Sequence, residues 1–367
     1  MSYATLKTNG NPRAALQSVL GDLLAAHRVD AVMVAARTPY SPLPMPTLFA
    51  DPDQMAAIEP FAPVAPFNAA RQAAAVLRYD AGRRVAVVLR PCEVRALIEL
   101  AKLHQCALNH AVLIGIDCLG RMENGAYLEA VRGLPEGCTA VQPAADGLDQ
   151  MTTACQACLQ FQPQAVDLAV WLIGYDAAEA VGLSAATDTG RSILDGLQLE
   201  PGQEPAGRSA EAARMLEQRR RNRETLLKDT AAKTAAIEKF QAYFATCLNC
   251  YNCRVACPVC YCKECVFGTD IFAHPPEVLL RRAAKRGAVK LPTDTTMFHL
   301  TRMAHMSHAC VGCGHCSSVC PSNIPVADVF IRVAAAAQAL YRYEPGRDVN
   351  EPIPLLVFEE KEEEKAS

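Results

Sequence analysis

Residues 84–103 read RVAVVLRPCEVRALIELAKL. Arg84–Leu89 is a short apolar run rich in valine, the signature of a buried strand, and Glu93–Leu103 has the apolar spacing of a helix. Cys92 sits at the junction. The same alternation recurs on both sides. Pro12 opens a helix with Leu16, Val19, Leu20, Leu23 and Leu24 on one face, and Ala31–Ala35 reads as a buried strand. Asn68–Leu77 is an expected helix, and Ala111–Ile116 and Asp167–Ile173 are expected strands. Pro39–Pro46 (PYSPLPMP) reads as a proline-rich loop. Strands alternating with helices predict an α/β domain built on a largely parallel sheet. The domain contains neither GxGxxG nor GxxxxGK[ST], so it has no standard dinucleotide fingerprint and no P-loop.

A chain of 367 residues corresponds to two or three domains at about 150 residues each. The expected division is 1–183, the α/β domain; 184–245, a linker and a long helix; 246–341, a mainly helical cysteine-rich domain; and 342–367, an acidic tail. Ser209 is the expected cap of the long helix, which would run to Thr246. Its Arg219, Arg220, Arg221 and Arg223 read as a solvated face, with docking of an acidic partner as the sharper alternative. Lys and Arg number 36 against 39 Asp and Glu, a net charge of −3 that gives no reason to expect nucleic-acid binding. No apolar run is long enough to span a membrane, and the start lacks the layout of a secretory signal. The expected location is the cytoplasm.

The 17 cysteines are the informative residues, and eleven of them fall in residues 247–265 and 310–320. The first window is Cys247-Leu-Asn-Cys250-Tyr-Asn-Cys253-Arg-Val-Ala-Cys257-Pro. The second is Cys310-Val-Gly-Cys313-Gly-His-Cys316-Ser-Ser-Val-Cys320-Pro. Both are CxxCxxCxxxCP, the bacterial ferredoxin run. Three thiolates at two-residue gaps wrap one cubane, and the fourth points at the other. One [4Fe–4S] cluster would then take Cys247, Cys250, Cys253 and Cys320, and the second Cys310, Cys313, Cys316 and Cys257. Zinc, with four tetrahedral ligands, has no use for eight cysteines in this crossed pattern. The 53 residues from Cys257 to Cys310 make the module resemble the helical ferredoxin modules of succinate dehydrogenase and heterodisulfide reductase subunits. Cys260, Cys262 and Cys265 fit a further cluster completed by a cysteine elsewhere, thiols packed beside the first two, or alternates for Cys257.

In the α/β domain, Cys92 and Cys118 follow strands, where open α/β sheets place ligands, and Cys155 and Cys158 form a CxxC. Four converging thiols there would hold a third cubane. The alternative is four unrelated buried cysteines, since Cys is a common core residue. Cys106 and Cys138 read as structural.

Arg90-Pro91-Cys92-Glu93-Val94-Arg95-Ala96-Leu97 resembles the KPCE-type motif of the coenzyme F420 hydrogenase/dehydrogenase beta-subunit family. So does Cys155-Gln-Ala-Cys158-Leu-Gln-Phe161, followed by Asp167. The stretch CPVCYCKEC, 257–265, resembles the formate dehydrogenase beta subunits of that family. The resemblance runs from about residue 15 to 330. It implies an α/β flavin domain with an FAD beside a [4Fe–4S] cluster, joined to a ferredoxin-like iron–sulfur domain. With it, Arg90, Pro91 and Glu93 become candidate flavin-binding residues: the start of the helix would face a cluster sulfide or a flavin pyrophosphate, and Arg90 would pair with the pyrophosphate or with the reduced flavin N1. It further implies an electron-transfer subunit of a formate dehydrogenase or hydrogenase, working with a molybdenum- or tungsten-dependent or hydrogenase alpha subunit. The acceptor would be coenzyme F420 or a heterodisulfide reductase-like partner. Arg90 stands where the archaeal motif has Lys, keeping the charge and changing its geometry, and the ferredoxin module lies at the C-terminus. A stand-alone flavin and iron–sulfur reductase and a flavin-less electron conduit are the competing readings.

Overall fold

The fold is given by a computed structural model that describes residues 2–79, 81–132, 147–262, 264–269, 276–287 and 294–357. Its first part is one mixed sheet of eight strands: β1 (Ser2–Lys7), β2 (Ala31–Thr38), β3 (Ser41–Phe49), β4 (Val85–Leu89), β5 (Ala111–Ile116), β6 (Leu168–Trp171), β7 (Ala180–Ala185) and β8 (Glu200–Pro201). The spatial order is β3-β2-β4-β5-β6-β7-β1-β8. The centre, β2-β4-β5-β6, is parallel, and every pairing outside it is antiparallel. The expected α/β class holds, but the sheet is mixed rather than largely parallel. Short connections force two of these antiparallel pairs, β2-β3 and β6-β7, because a tight turn after β2 or a brief link after β6 leaves no room for a crossover helix.

The central strands are apolar on both faces because both faces are covered. Val85, Val87 and Leu89 pack with Leu97 and Ile98 of the Pro91–Lys102 helix on one side. Ala86 and Val88 pack with Leu16, Leu20 and Leu23 of the Pro12–Ala25 helix on the other. The first of these two cores continues without a break into Phe298, Met303 and Phe330 of the cysteine-rich part.

Three stretches differ from the sequence expectation. The proline-rich loop is strand β3. Its Pro42, Pro44 and Pro46 recur every second residue, so their nitrogens share one side, and an edge strand has an open side that asks for no donor. The expected linker, 184–208, holds the end of β7, the helix Asp188–Gly196 and β8. Few apolar residues suffice there because the helix buries only Gly190, Ile193 and Leu194. The long helix is two: Arg208–Thr234, led by Gly207 rather than by a Ser209 cap, and Ile237–Tyr243.

The C-terminal residues up to 357 are part of the fold rather than of a tail. The buried Glu99 Oε1 accepts from the Tyr343 hydroxyl (2.6 Å), the Gly346 amide (2.8 Å) and Lys102 Nζ (3.1 Å). Gly346 lies so close to Arg95 that a Cβ would stand 2.3 Å from its Cα. The acidic residues of 358–367 lie outside the described residues.

Candidate metal centre

The two cysteine windows have the same backbone. The third and fifth positions of each CxxCxxC run are left-handed: Asn249 (φ 50°) and Tyr251 (φ 60°) in the first, Gly312 (φ 69°) and Gly314 (φ 78°) in the second. Tyr251 and Gly314 then lead the one-turn helices Asn252–Val255 and His315–Ser318, which carry Cys253 and Cys316. Alternating left- and right-handed residues turn successive amides toward one centre, the nest found around phosphates and iron–sulfur clusters.

The thiols gather across the windows. Cys257 of the first lines one apolar cavity, with about 410 Å³ of open space, together with Cys310, Cys313 and Cys316 of the second. Burial pushes the Cys313 thiol up to about 12, and Cys257 and Cys310 add to the shift. Burial likewise pushes Cys253 up to about 11; Arg302 opposes it, and Cys247, Cys250 and Cys320 reinforce it. Groups that raise one another's pKa lie within electrostatic reach, and Cys320 of the second window is within that reach of Cys253. Among the described residues, no three His, Cys, Asp or Glu side chains are close enough to share a single metal ion. A cubane spreads its thiolates over its corners, so wider sets of four are the shape it needs.

The N-terminal cysteines form a further set. Cys92 is the second residue of the Pro91–Lys102 helix. Cys118 follows β5 and donates its amide to the Phe161 carbonyl (2.8 Å). Cys155 lies in the short Thr153–Gln156 helix, capped by Thr152, and Cys158 follows it. Burial lifts Cys118 to about 12, with Cys155 and Cys158 adding and Arg90 opposing. Burial, then Glu93, Cys313, Cys118 and Cys158, hold Cys92 well above the usual thiol range. Cys313, which belongs to the second window, is thus within electrostatic reach of Cys92. The join is tight: a Cβ on Gly314 would stand 2.5 Å from that of Ala154. Arg121 Nη2 also donates to Ser318 Oγ across it (2.7 Å).

The residues expected to grip a flavin are engaged elsewhere. Arg90 Nη2 donates to the carbonyls of Ala62 (2.8 Å) and Val64 (2.6 Å). Glu93 accepts from the Arg90 amide (2.8 Å) and the Ala69 amide (3.2 Å). Pro91, at the first helical position, has no N–H. These three residues brace the loop before the Ala70–Val76 helix. In this geometry Arg90 Nη2 and the Glu93 carboxylate are held by backbone groups of the neighbouring loop rather than presented to a pyrophosphate. Beside them, two adjoining grooves share Pro60, Arg90 and Ile116, and one of them reaches Cys118.

Cys260 is half-buried and its thiol is pushed up to about 11 by burial, with Cys257, Cys262 and Cys265 adding; Cys262 is exposed. Cys106 is in the core, and Cys138 lies outside the described residues. Sequence reasoning missed several side chains. Arg219, read as solvated, is 1% exposed, stacks on Phe161 and donates to the Leu119 carbonyl (2.8 Å). His299 Nε2 lies 3.4 Å from Cys247 Sγ, its ring stacked on Phe244. Burial and then Arg302 push its pKa down to about 3, so the imidazole is neutral. Arg302 donates to Cys253 Sγ (3.2 Å). No local motif marks a buried cation on a helix, so sequence offers no signal for Arg302.

Residues 243–324 match the family described as a 4Fe-4S dicluster domain. The chain is 23% identical over 314 residues to the F420-dependent formate dehydrogenase subunit beta of Methanocaldococcus jannaschii, covering 77% of this chain and 79% of that one. It is 26% identical over 313 residues to the F420-dependent formate dehydrogenase 1 subunit beta of Methanococcus maripaludis, covering 76% and 77%. The chain is a homologue of these beta subunits. As such it is an oxidoreductase subunit, and it carries a dicluster iron–sulfur domain. The F420-reducing [NiFe] hydrogenase complex from Methanosarcina barkeri contains a chain that aligns with a TM-score of 0.47 at 13% identity, over 65% of this chain and 94% of that one. No helix among the described residues is long and apolar enough to cross a membrane.

Proposed function

We propose that this beta-subunit homologue conducts electrons within a multi-subunit oxidoreductase of the formate dehydrogenase or hydrogenase type. Three [4Fe–4S] clusters would be held by Cys247, Cys250, Cys253 and Cys320; by Cys310, Cys313, Cys316 and Cys257; and by Cys92, Cys118, Cys155 and Cys158. When bound, such clusters exchange single electrons at potentials set by their surroundings. One observation carries the reading: the second set adjoins both of the others. Cys257 joins the first window to the second, and Cys313 bears on Cys92. The chain's own part is positioning. The nests turn amides inward, the shared core fixes the spacing, and the cavity around the second set offers an almost wholly apolar wall.

The family resemblance assigns an FAD to the α/β domain, and the grooves beside Arg90 and Cys118 are where it would be seated. Arg90 and Glu93 would form their wall rather than grip the pyrophosphate, and no electron step is routed through it here. The expected partner is a molybdenum- or tungsten-dependent or hydrogenase alpha subunit, with coenzyme F420 or a heterodisulfide reductase-like subunit as acceptor. The engagement of Arg90 with Ala62 and Val64 favours one second reading, a flavin-less conduit between two partners.

Anaerobic purification of the native protein tests both. The main reading expects about twelve irons per chain, one FAD and a stably bound larger subunit. Iron and a partner without flavin would establish the conduit. Zinc in place of iron, or iron with no partner, would overturn the proposal.

A further inference from the structure

Arg302 lies in the helix Thr295–Met306 and is 4% exposed. Burying a guanidinium costs several kcal/mol unless an opposite charge compensates it. Arg302 makes no ion pair with a carboxylate among the described residues. Its Nη1 donates to Cys253 Sγ (3.2 Å) and its Nη2 to the Cys253 carbonyl (3.1 Å). The guanidinium lies over Phe330 and Phe298, 4.6 and 5.5 Å from the ring centres. Its Nε is buried with no partner. The side chain also lines the cavity of Cys257, Cys310, Cys313 and Cys316. It therefore touches one thiol set and walls the other. Arginine suits such a place because it cannot discharge by losing its proton.

We propose that Arg302 is the counter-charge shared by the two cubanes of the dicluster domain, and that it sets the reduction potentials of both. This rests on the dicluster reading above. Thiolates bound to iron supply the anionic acceptors that the chain's carboxylates do not. Although burial works against the charge of Arg302, Cys253, Cys257, Cys316 and Cys260 all favour it. Each reduction adds negative charge to a cluster, so a cation beside it favours the reduced form. A cation between two clusters also lessens the repulsion that one reduced cluster exerts on the other.

Arg223 repeats the arrangement at the next junction. It shares a cavity with Cys158 of the N-terminal set and Cys310 of the second window. Burial works against its charge, those two thiols favour it, and Arg95 opposes it.

The test is a redox titration followed by electron paramagnetic resonance on the full-length protein, loaded anaerobically, with iron counted in every sample. Arg302→Gln should move the potentials of both dicluster centres to more negative values and leave the N-terminal centre unmoved. Arg302→Lys, which keeps the charge but not the fork, should shift them less. Arg223→Gln should lower the second-window and N-terminal centres and spare the first. A fully loaded Arg302→Gln protein with unchanged potentials overturns the proposal, as does a shift confined to the centre of Cys253. Should Arg302→Gln lose its iron, Arg302→Lys and Arg223→Gln decide, and unchanged potentials in both overturn it. An unsubstituted protein with no iron in the two windows would instead refute the dicluster reading itself.

Discussion

Asp117 and Arg208 form a two-point buried ion pair that ties the last residue before Cys118 to the start of the long helix. Arg208 Nη1 and Nη2 donate to Oδ2 and Oδ1 at 2.5 and 3.1 Å. Asp117 Oδ2 also accepts the amides of Leu172 and Ile173, so the pair closes the ends of β5 and β6 as well. The guanidinium lies over the Trp171 ring, and Gly174 is packed against the Arg208 backbone. Removing one partner leaves a buried charge uncompensated.

Arg208→Met should therefore cost about 3–5 kcal/mol of stability. Asp117→Asn should cost a similar amount, and the double variant less than the sum of the two. Chemical denaturation of the three proteins reads this directly. Additive costs would show that the two residues act independently.

The crossed grouping of thiols makes an asymmetric prediction. Cys257→Ser should damage the centre of Cys310, Cys313 and Cys316, although it lies in the other window. Cys320→Ser should damage the centre of Cys247, Cys250 and Cys253. Paramagnetic resonance of each reduced variant identifies the missing signal. Loss only of the centre in the substituted residue's own window would refute the crossing.

Gly312 and Gly314 are both left-handed, but only one is hemmed in. An added Cβ at Gly312 meets nothing nearer than Ile331 at 3.8 Å, so Gly312→Ala should cost only backbone strain, about 1–2 kcal/mol. At Gly314 the same methyl would collide with Ala154. Gly314→Ala should cost distinctly more and should disturb both the second-window and the N-terminal centres. Thermal melts together with iron counts separate the two variants.

The N-terminal set is tested by subtraction. Cys92→Ala combined with Cys118→Ala in the full-length protein should lower the iron content from about twelve to about eight per chain. Both signals of the dicluster windows should persist. Unchanged iron would remove these cysteines from the ligand set.

Much of this was readable because cysteine spacing is chemistry written locally. The repeat of CxxCxxCxxxCP specified two matching loops, and the matched left-handed pairs Asn249/Gly312 and Tyr251/Gly314 are its backbone form. The strands Val85–Leu89 and Ala111–Ile116 were equally plain, since burial on both faces makes them uniformly apolar. What was not readable depends on distant residues. β1 is visible only once β7 lies beside it, and β3 is a strand despite three prolines because it falls at an edge. Arg90 and Glu93 looked free in sequence because their partners, Ala62, Val64 and Ala69, are backbone groups more than twenty residues away. Arg302 was hidden for a related reason: its partners are thiols on other segments.

The strap through Tyr343 and Gly346 bears on how fast such a protein can work. Some electron carriers swing a tethered head between stations, and their turnover waits on that excursion. Here the last described segment returns to Glu99 and Arg95, while Gly314 is wedged against Ala154. The cysteine-rich half is thereby clamped to helices of the α/β domain at two points. Spacing between the thiol sets is settled once, when the chain folds, and is not searched for again at each encounter.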